Sequence, residues 1–223
     1  MAEVNLLRRI IFCSVLGLFF LNSSFVLAGV AKAVESRYNQ LKTWQAQFEQ
    51  RTFVEMVKQE MIKSGQIQVL RPNRLKVSYQ SVPQKTYLSD GKNVYVFKQD
   101  DDVAYVFGQA KKIISPEALS FLGGLQNLSD HFEIFEDLKQ PEGSYQIKDK
   151  NLKILTLLPK SKDASLLRIT LGVDAKEHLV REAVLFTASG NVSYYRFSDT
   201  KIDTPLSDSL FTVPKGKKLR KMK

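Results

Sequence analysis

Gln66-Ile67-Gln68-Val69-Leu70-Arg71-Pro72-Asn73-Arg74-Leu75-Lys76-Val77-Ser78-Tyr79 is the stretch whose reading decides the fold. Ile67, Val69, Leu75, Val77 and Tyr79 occupy odd positions, and Gln66, Gln68, Arg74, Lys76 and Ser78 occupy even ones. This period of two belongs to half-buried strands with one apolar and one wet face. Pro72-Asn73 between the two runs is a turn-favouring pair. If the parity continues to Pro72, Arg71 falls on the apolar face, where a guanidinium is costly unless hydrogen-bond acceptors meet it. A bulge beside Pro72, which cannot donate to a sheet ladder, would instead turn Arg71 to solvent.

The first residues read as an export signal. Arg8-Arg9 precede a run free of charge from Ile10 to Ala28, which closes on Val26-Leu27-Ala28, so cleavage after Ala28 is expected. A membrane anchor is the competing reading, because the run is long enough to cross a bilayer. Asn22-Ser23-Ser24 weakens its second half, and no charged cluster follows. Cys13, the only cysteine, lies inside the run. The expected organisation is a signal peptide over 1–28, one domain over 29–214 and a basic tail over 215–223. The formal net charge of +10 points to acidic proteins or anionic head groups as partners. No interleaving of aromatic and basic residues argues for nucleic acid.

Val30, Ala33, Val34, Tyr38 and Leu41 recur at helical spacing, which predicts an amphipathic helix over 30–42. Alternation then begins at Trp44. Strands are expected over 44–53, 60–70, 74–80, 85–89, 93–98, 103–107, 145–148, 152–158, 166–173, 179–187 and 192–203, about eleven in all. Asp90-Gly91 is the strongest hairpin signal. Ser115-Pro116-Glu117 supplies a helix start, and Gly123-Gly124 divides the apolar residues that follow into two helical pieces. Residues 94–97, 154–158 and 184–186 are apolar on both parities, so both of their faces should be covered. The expected fold is therefore mainly β with a helical lid: a strongly curved, incomplete antiparallel barrel, with the two helical segments over its concave face. The basic tail is either a solvated end or a docking segment.

Signals for catalysis are missing. His131 and His178 are far apart and match no zinc spacing, and no serine sits in a nucleophile elbow. Asp100-Asp101-Asp102 lacks the ligand spacing of a calcium loop. The chain is expected to be no enzyme and to need no cofactor or metal. One strand parity and the helical insertion together offer an apolar wall: Trp44, Phe48, Ile67, Val69, Leu75, Val77 and Tyr79 from strands, with Leu119, Phe121, Leu122 and Leu125 from the lid.

The order of these features resembles the family of periplasmic lipoprotein carriers of the LolA type. The words that carry the likeness are Phe48-Glu49-Gln50, Gly65, Arg71-Pro72-Asn73, Leu88-Ser89-Asp90-Gly91-Lys92, the insertion from Pro116 to Leu128, Pro159-Lys160 and Phe211-Thr212-Val213-Pro214-Lys215-Gly216. The resemblance implies a monomeric periplasmic chaperone. Such a chaperone accepts acylated lipoproteins from an inner-membrane transporter and delivers them to an outer-membrane receptor. It also implies that Arg71 latches the lid over the empty cavity. A carrier or sensor of another amphiphile, such as a glycolipid, is the alternative, and a lipid hydrolase lacks its nucleophile and base.

Overall fold

The opening stretch folds as its parity requires. In the computed structural model, which describes residues 29–108, 128–136, 138–161 and 165–222, β2 (Gln59–Leu70) and β3 (Arg74–Tyr79) pair antiparallel with Ile67 opposite Val77 and Val69 opposite Leu75. All four side chains are buried. Asn73 makes the turn at φ +64°, a left-handed conformation that asparagine tolerates.

Around this hairpin the chain lays down, in order, α1 (Val30–Gln40), β1 (Thr43–Val54), β2 and β3, then β4 (Lys85–Asp90), β5 (Asn93–Lys98) and β6 (Val103–Gly108). A short helix α2 (Leu128–His131) leads into β7 (Phe132–Glu136), β8 (Leu152–Pro159), β9 (Leu166–Asp174), β10 (Val180–Thr187) and β11 (Val192–Ile202). A 3-10 turn at Asp208–Phe211 and β12 (Lys218–Met222) end the chain. All strands join one sheet in the order β12-β6-β5-β4-β3-β2-β1-β11-β10-β9-β8-β7. The sheet is open, with β12 and β7 at its two edges, and every pairing is antiparallel except β12 with β6.

The two halves meet where β1 pairs with β11, Phe48 facing Phe197 and Trp44 facing Ile202. The sheet bends around α1, which packs on β7 and β8 while Tyr38 also reaches Trp44 on β1 and Val180 on β10. Val34 and Tyr38 are fully buried there, in one apolar cluster with Trp44, Val69, Leu155, Ile169 and Leu171. The first turn of α1 has no side-chain cap from its own N-terminal residue. Glu136 of β7 supplies one, its carboxylate accepting from Ala31 N at 3.0 Å, the arrangement an N-terminal dipole favours. A Cβ on Gly29 would stand 2.3 Å from that carboxylate oxygen, so a larger residue there would push the Glu136 carboxylate off the cap.

The convex face of β8 to β10 is covered too, as the apolar parity of 154–158 and 184–186 predicted. The connector that follows β7 packs across it with Ile147 buried, and Val184, Thr156 and Thr170 beneath are almost wholly buried. Arg168 Nη2 donates to Thr156 Oγ1 and to the Lys139 carbonyl, both at 3.0 Å. Gly172 admits the connector, because a Cβ there would lie 3.0 Å from Ile147 Cγ2.

Three expectations change. Residues 145–148 are not a strand: the Gln140 side chain accepts from Ile147 N and donates to Ile147 O, each at 2.9 Å. It thereby replaces a neighbouring strand. Phe132–Glu136, where no strand is expected, is β7, held by Phe132 opposite Pro159 and Ile134 opposite Leu157. The basic tail contributes β12, exposed at all five residues yet paired along β6. Among the described residues the sheet therefore has twelve strands, against about eleven expected. Residues 1–28 and the insertion with Leu119, Phe121, Leu122 and Leu125 lie outside the described residues.

Candidate functional site

Strand alternation puts the predicted wall on one surface. Trp44 and Phe48 of β1, Ile67 and Val69 of β2, and Leu75 and Val77 of β3 all project to the concave face, each at most 6 % exposed. They share one cluster, with Tyr79 packed against it half-buried. Gly65, opposite both Phe48 and Tyr79, leaves room for the Phe48 ring, since a Cβ would approach its Cζ to 2.6 Å.

Aromatic rings cross this face without a break. Tyr87 meets Tyr79 at 6.2 Å between centroids, Tyr79 meets Phe48 at 5.4 Å, and Phe48 meets Tyr195 at 6.1 Å. Tyr195 stacks on Phe197 at 6.3 Å, Phe197 meets Trp44 at 5.8 Å, and Trp44 meets Tyr38 of α1 at 6.2 Å. Five of these six contacts are edge-on or tilted, as ring quadrupoles prefer. Tyr38, Tyr87, Tyr195 and Phe197 are not in the predicted wall. The alternation Tyr195, Phe197 against Arg196, Ser198 carried the signal for β11, whereas nothing in the sequence said that β11 lies beside β1.

The face changes character along β1. Near α1 it is apolar and closed, and the indole Nε1 of Trp44 is buried with no hydrogen-bond partner among the described residues. Toward the β1-β2 turn it becomes half-open and polar. Tyr79 donates to Gln50 Oε1 at 2.9 Å, Gln50 donates to Thr52 Oγ1 at 2.8 Å, and Thr52 and Ser193 hydroxyls lie 2.8 Å apart. Burial pushes the Tyr79 hydroxyl up to about 12, with Tyr87 adding to the shift. Burial, with Tyr79 beside it, lifts Tyr195 well above the usual phenol range. Both hydroxyls therefore stay protonated and act as donors or acceptors at any physiological pH.

Arg71 stays with the sheet rather than turning outward. Its backbone N donates to Lys42 O at 3.0 Å, and Nε and Nη1 are shielded from solvent. Loss of water lowers the guanidinium to about 10, with Tyr38 pulling in the opposite direction. The residue thus sits at the α1 end of the apolar face, where the parity of the opening stretch placed it.

A second concavity, of about 600 Å³, opens on the other side of the sheet between the connector, β10, β11 and β1. Its lining is largely polar, with Arg51, Lys148, Asp149, Glu182 and Arg196 among its residues. Among the described residues no cluster of histidine, cysteine, aspartate or glutamate can hold a metal, and no helix is long and apolar enough to cross a membrane.

Comparison with known proteins agrees with this arrangement. The family described as "Outer membrane lipoprotein carrier protein LolA" matches residues 39–214. An outer-membrane lipoprotein carrier protein of Nitrosomonas europaea is 28 % identical over 94 % of this chain and 97 % of its own. One from Coxiella burnetii is 26 % identical over 90 % and 92 %. Among solved structures, an uncharacterised conserved protein of Thermus thermophilus superposes with a TM-score of 0.53 at 13 % identity, over 87 % of this chain and all of that one, which establishes a common fold. With a family match running from the end of α1 to the residues after the 3-10 turn, the chain belongs to the LolA family of outer membrane lipoprotein carrier proteins.

Proposed function

We propose that this protein is a periplasmic chaperone that shelters the acyl chains of lipoproteins on its concave face and carries them from the inner to the outer membrane. The observation that carries the proposal is the continuous apolar and aromatic face from Tyr87 to Tyr38, in a chain whose family is one of carriers rather than enzymes. Each buried methylene of an acyl chain contributes about 0.8 kcal/mol, so a multiply acylated protein leaves a bilayer only into an apolar container. The strands supply one wall of it, and the segment containing Leu119, Phe121, Leu122 and Leu125 supplies the cover.

Unloading requires that the container not hold its cargo too firmly. A latched empty state answers this, because part of the acyl-chain binding energy then goes into opening the cover and net affinity falls. Arg71 is the latch in this reading. Its guanidinium lies at the closed end of the face with Nε and Nη1 shielded from water, where hydrogen bonds to a charged group are worth about 1.5–3 kcal/mol each.

The test adds purified mature protein to inner-membrane vesicles or spheroplasts that contain the releasing transporter. Lipoproteins should appear in the soluble fraction, in complex with the protein, and pass to outer-membrane vesicles. Lipoproteins that stay with the membrane would overturn the proposal.

A further inference from the structure

Three lysines project from the half-open end of the concave face. Gly65 lies opposite Tyr79, so Lys63, two residues earlier on β2, shares the face of Tyr79. Ser78 lies opposite Thr86, and one more step along that register puts Lys85 across from Tyr79. Lys98 of β5 is directly opposite Lys85. Lys63 and Lys85 thus bracket Tyr79 from strands two apart, about 10 Å between backbones.

None of the three is neutralised. Among the described residues, no carboxylate lies within ion-pair distance of Lys63, Lys85 or Lys98. The Lys63 ammonium stands 5.7 Å over the Tyr79 ring and that of Lys85 stands 5.0 Å over the Tyr87 ring. A ring face attracts a cation but leaves its N–H donors to be used elsewhere. Like charges directly opposite each other on neighbouring strands weaken a sheet, so Lys85 against Lys98 has no explanation in the stability of the fold. An anion between them removes the repulsion. Immediately inward of the lysines the face turns apolar at Phe48, Ile67 and Val77.

We propose that this end of the concave face is a subsite for the phosphate of an anionic lipid, held by Lys63, Lys85 and Lys98 while the acyl chain lies over Phe48, Ile67 and Val77. The inference rests on the lipid-carrying reading and extends it. The ligand class is a phosphate-bearing glycerolipid, whose head is singly charged and offers two free oxygens to donors on neighbouring strands. A neutral acyl chain uses only the apolar part of the face. Such a site selects among amphiphiles by the head as well as the chain.

The experiment compares monomeric palmitoyl-lysophosphatidylglycerol with monopalmitoylglycerol by calorimetric titration, and follows the fluorescence of Trp44, the single tryptophan. The parent protein should bind the anionic lipid at least tenfold more tightly. Lys63→Gln with Lys85→Gln should abolish the preference and keep the binding of the neutral lipid. Lys218→Gln with Lys221→Gln, the same charge change on exposed β12, should leave the preference intact. Glycerol 1-phosphate at millimolar concentration should not displace the lipid.

Equal binding of the two lipids by the parent, or a preference that survives the Lys63 and Lys85 changes, would overturn the subsite and leave the carrier reading standing. A preference lost equally through the Lys218 and Lys221 changes would reduce it to the field of a basic protein. Displacement by glycerol 1-phosphate would make it a site for free anions. Failure of both lipids to bind would overturn the apolar container and the subsite with it.

Discussion

The hydroxyl of Tyr38 accepts a hydrogen bond from the backbone N of Val180 at 3.0 Å, a buried contact between residues 142 apart in sequence. It fastens α1 to β10 at the closed end of the concave face, at the point where β10 shifts register between Val180 and Glu182. Burial pushes this hydroxyl up to about 12, so the contact is unaffected by pH over the range in which the protein works.

Tyr38→Phe leaves the Val180 N–H buried without an acceptor. The expected loss is about 1–3 kcal/mol of stability, with the ring contact to Trp44 retained. Denaturant unfolding followed by circular dichroism checks it, and a loss under about 0.5 kcal/mol would mean that the N–H finds another partner.

Gly65→Val places a side chain where a Cβ already meets Ser78 O at 2.4 Å and Phe48 Cζ at 2.6 Å. Phe48 must leave its position and the pairing of β2 with β3 must open, for a cost of about 1–3 kcal/mol. Phe48→Ala combined with Gly65→Val removes only the ring clash. The double variant should therefore recover part of that overpacking cost, which a double-mutant cycle measures.

Asp90→Asn tests the tightest hairpin. One Asp90 oxygen accepts from Lys92 N and Asn93 N, and the other from the Tyr95 hydroxyl, all at 2.8 Å. Burial by itself would raise this carboxyl, but those hydrogen bonds outweigh it and the group is lowered. A lowered carboxyl stabilises the fold above its unfolded value, near 3.9, and that contribution is lost as pH falls through the folded value. The variant should be less stable than the parent at pH 7, and the difference should shrink below about pH 4. A difference constant down to pH 2 would assign it to something other than ionisation.

Arg71→Leu should still take lipoprotein from vesicles but release it slowly. Loss of one charged hydrogen bond is worth roughly 1.5–3 kcal/mol, which corresponds to about a tenfold or greater fall in hand-off to acceptor membranes. Transfer at the parental rate in a reconstituted assay would remove Arg71 from the latch.

Much of the concave face was legible in the chain. Ile67, Val69, Leu75 and Val77 were set on one side by a period of two, and the side chains followed it because a strand can present them in no other way. Turn chemistry located the hairpins for the same local reason: Asp90-Gly91 needs a positive φ, and Gly91 takes +96°. The helix over 30–42 was likewise local, and α1 covers Val30–Gln40.

What the chain alone left undetermined was which strand lies next to which. Phe132–Glu136 is too short an alternation to mark a strand by itself, and only Leu157 and Pro159 beside it make it one. Residues 145–148 have strand-like composition, yet Gln140 takes the ladder bonds of Ile147 before any strand can. The aromatic run depends on β1 lying between β2 and β11, and the lysines gather only because β2, β3, β4 and β5 stand side by side. Periodicity is written into neighbouring residues, whereas adjacency of strands is decided by which distant surfaces bury the most apolar area together.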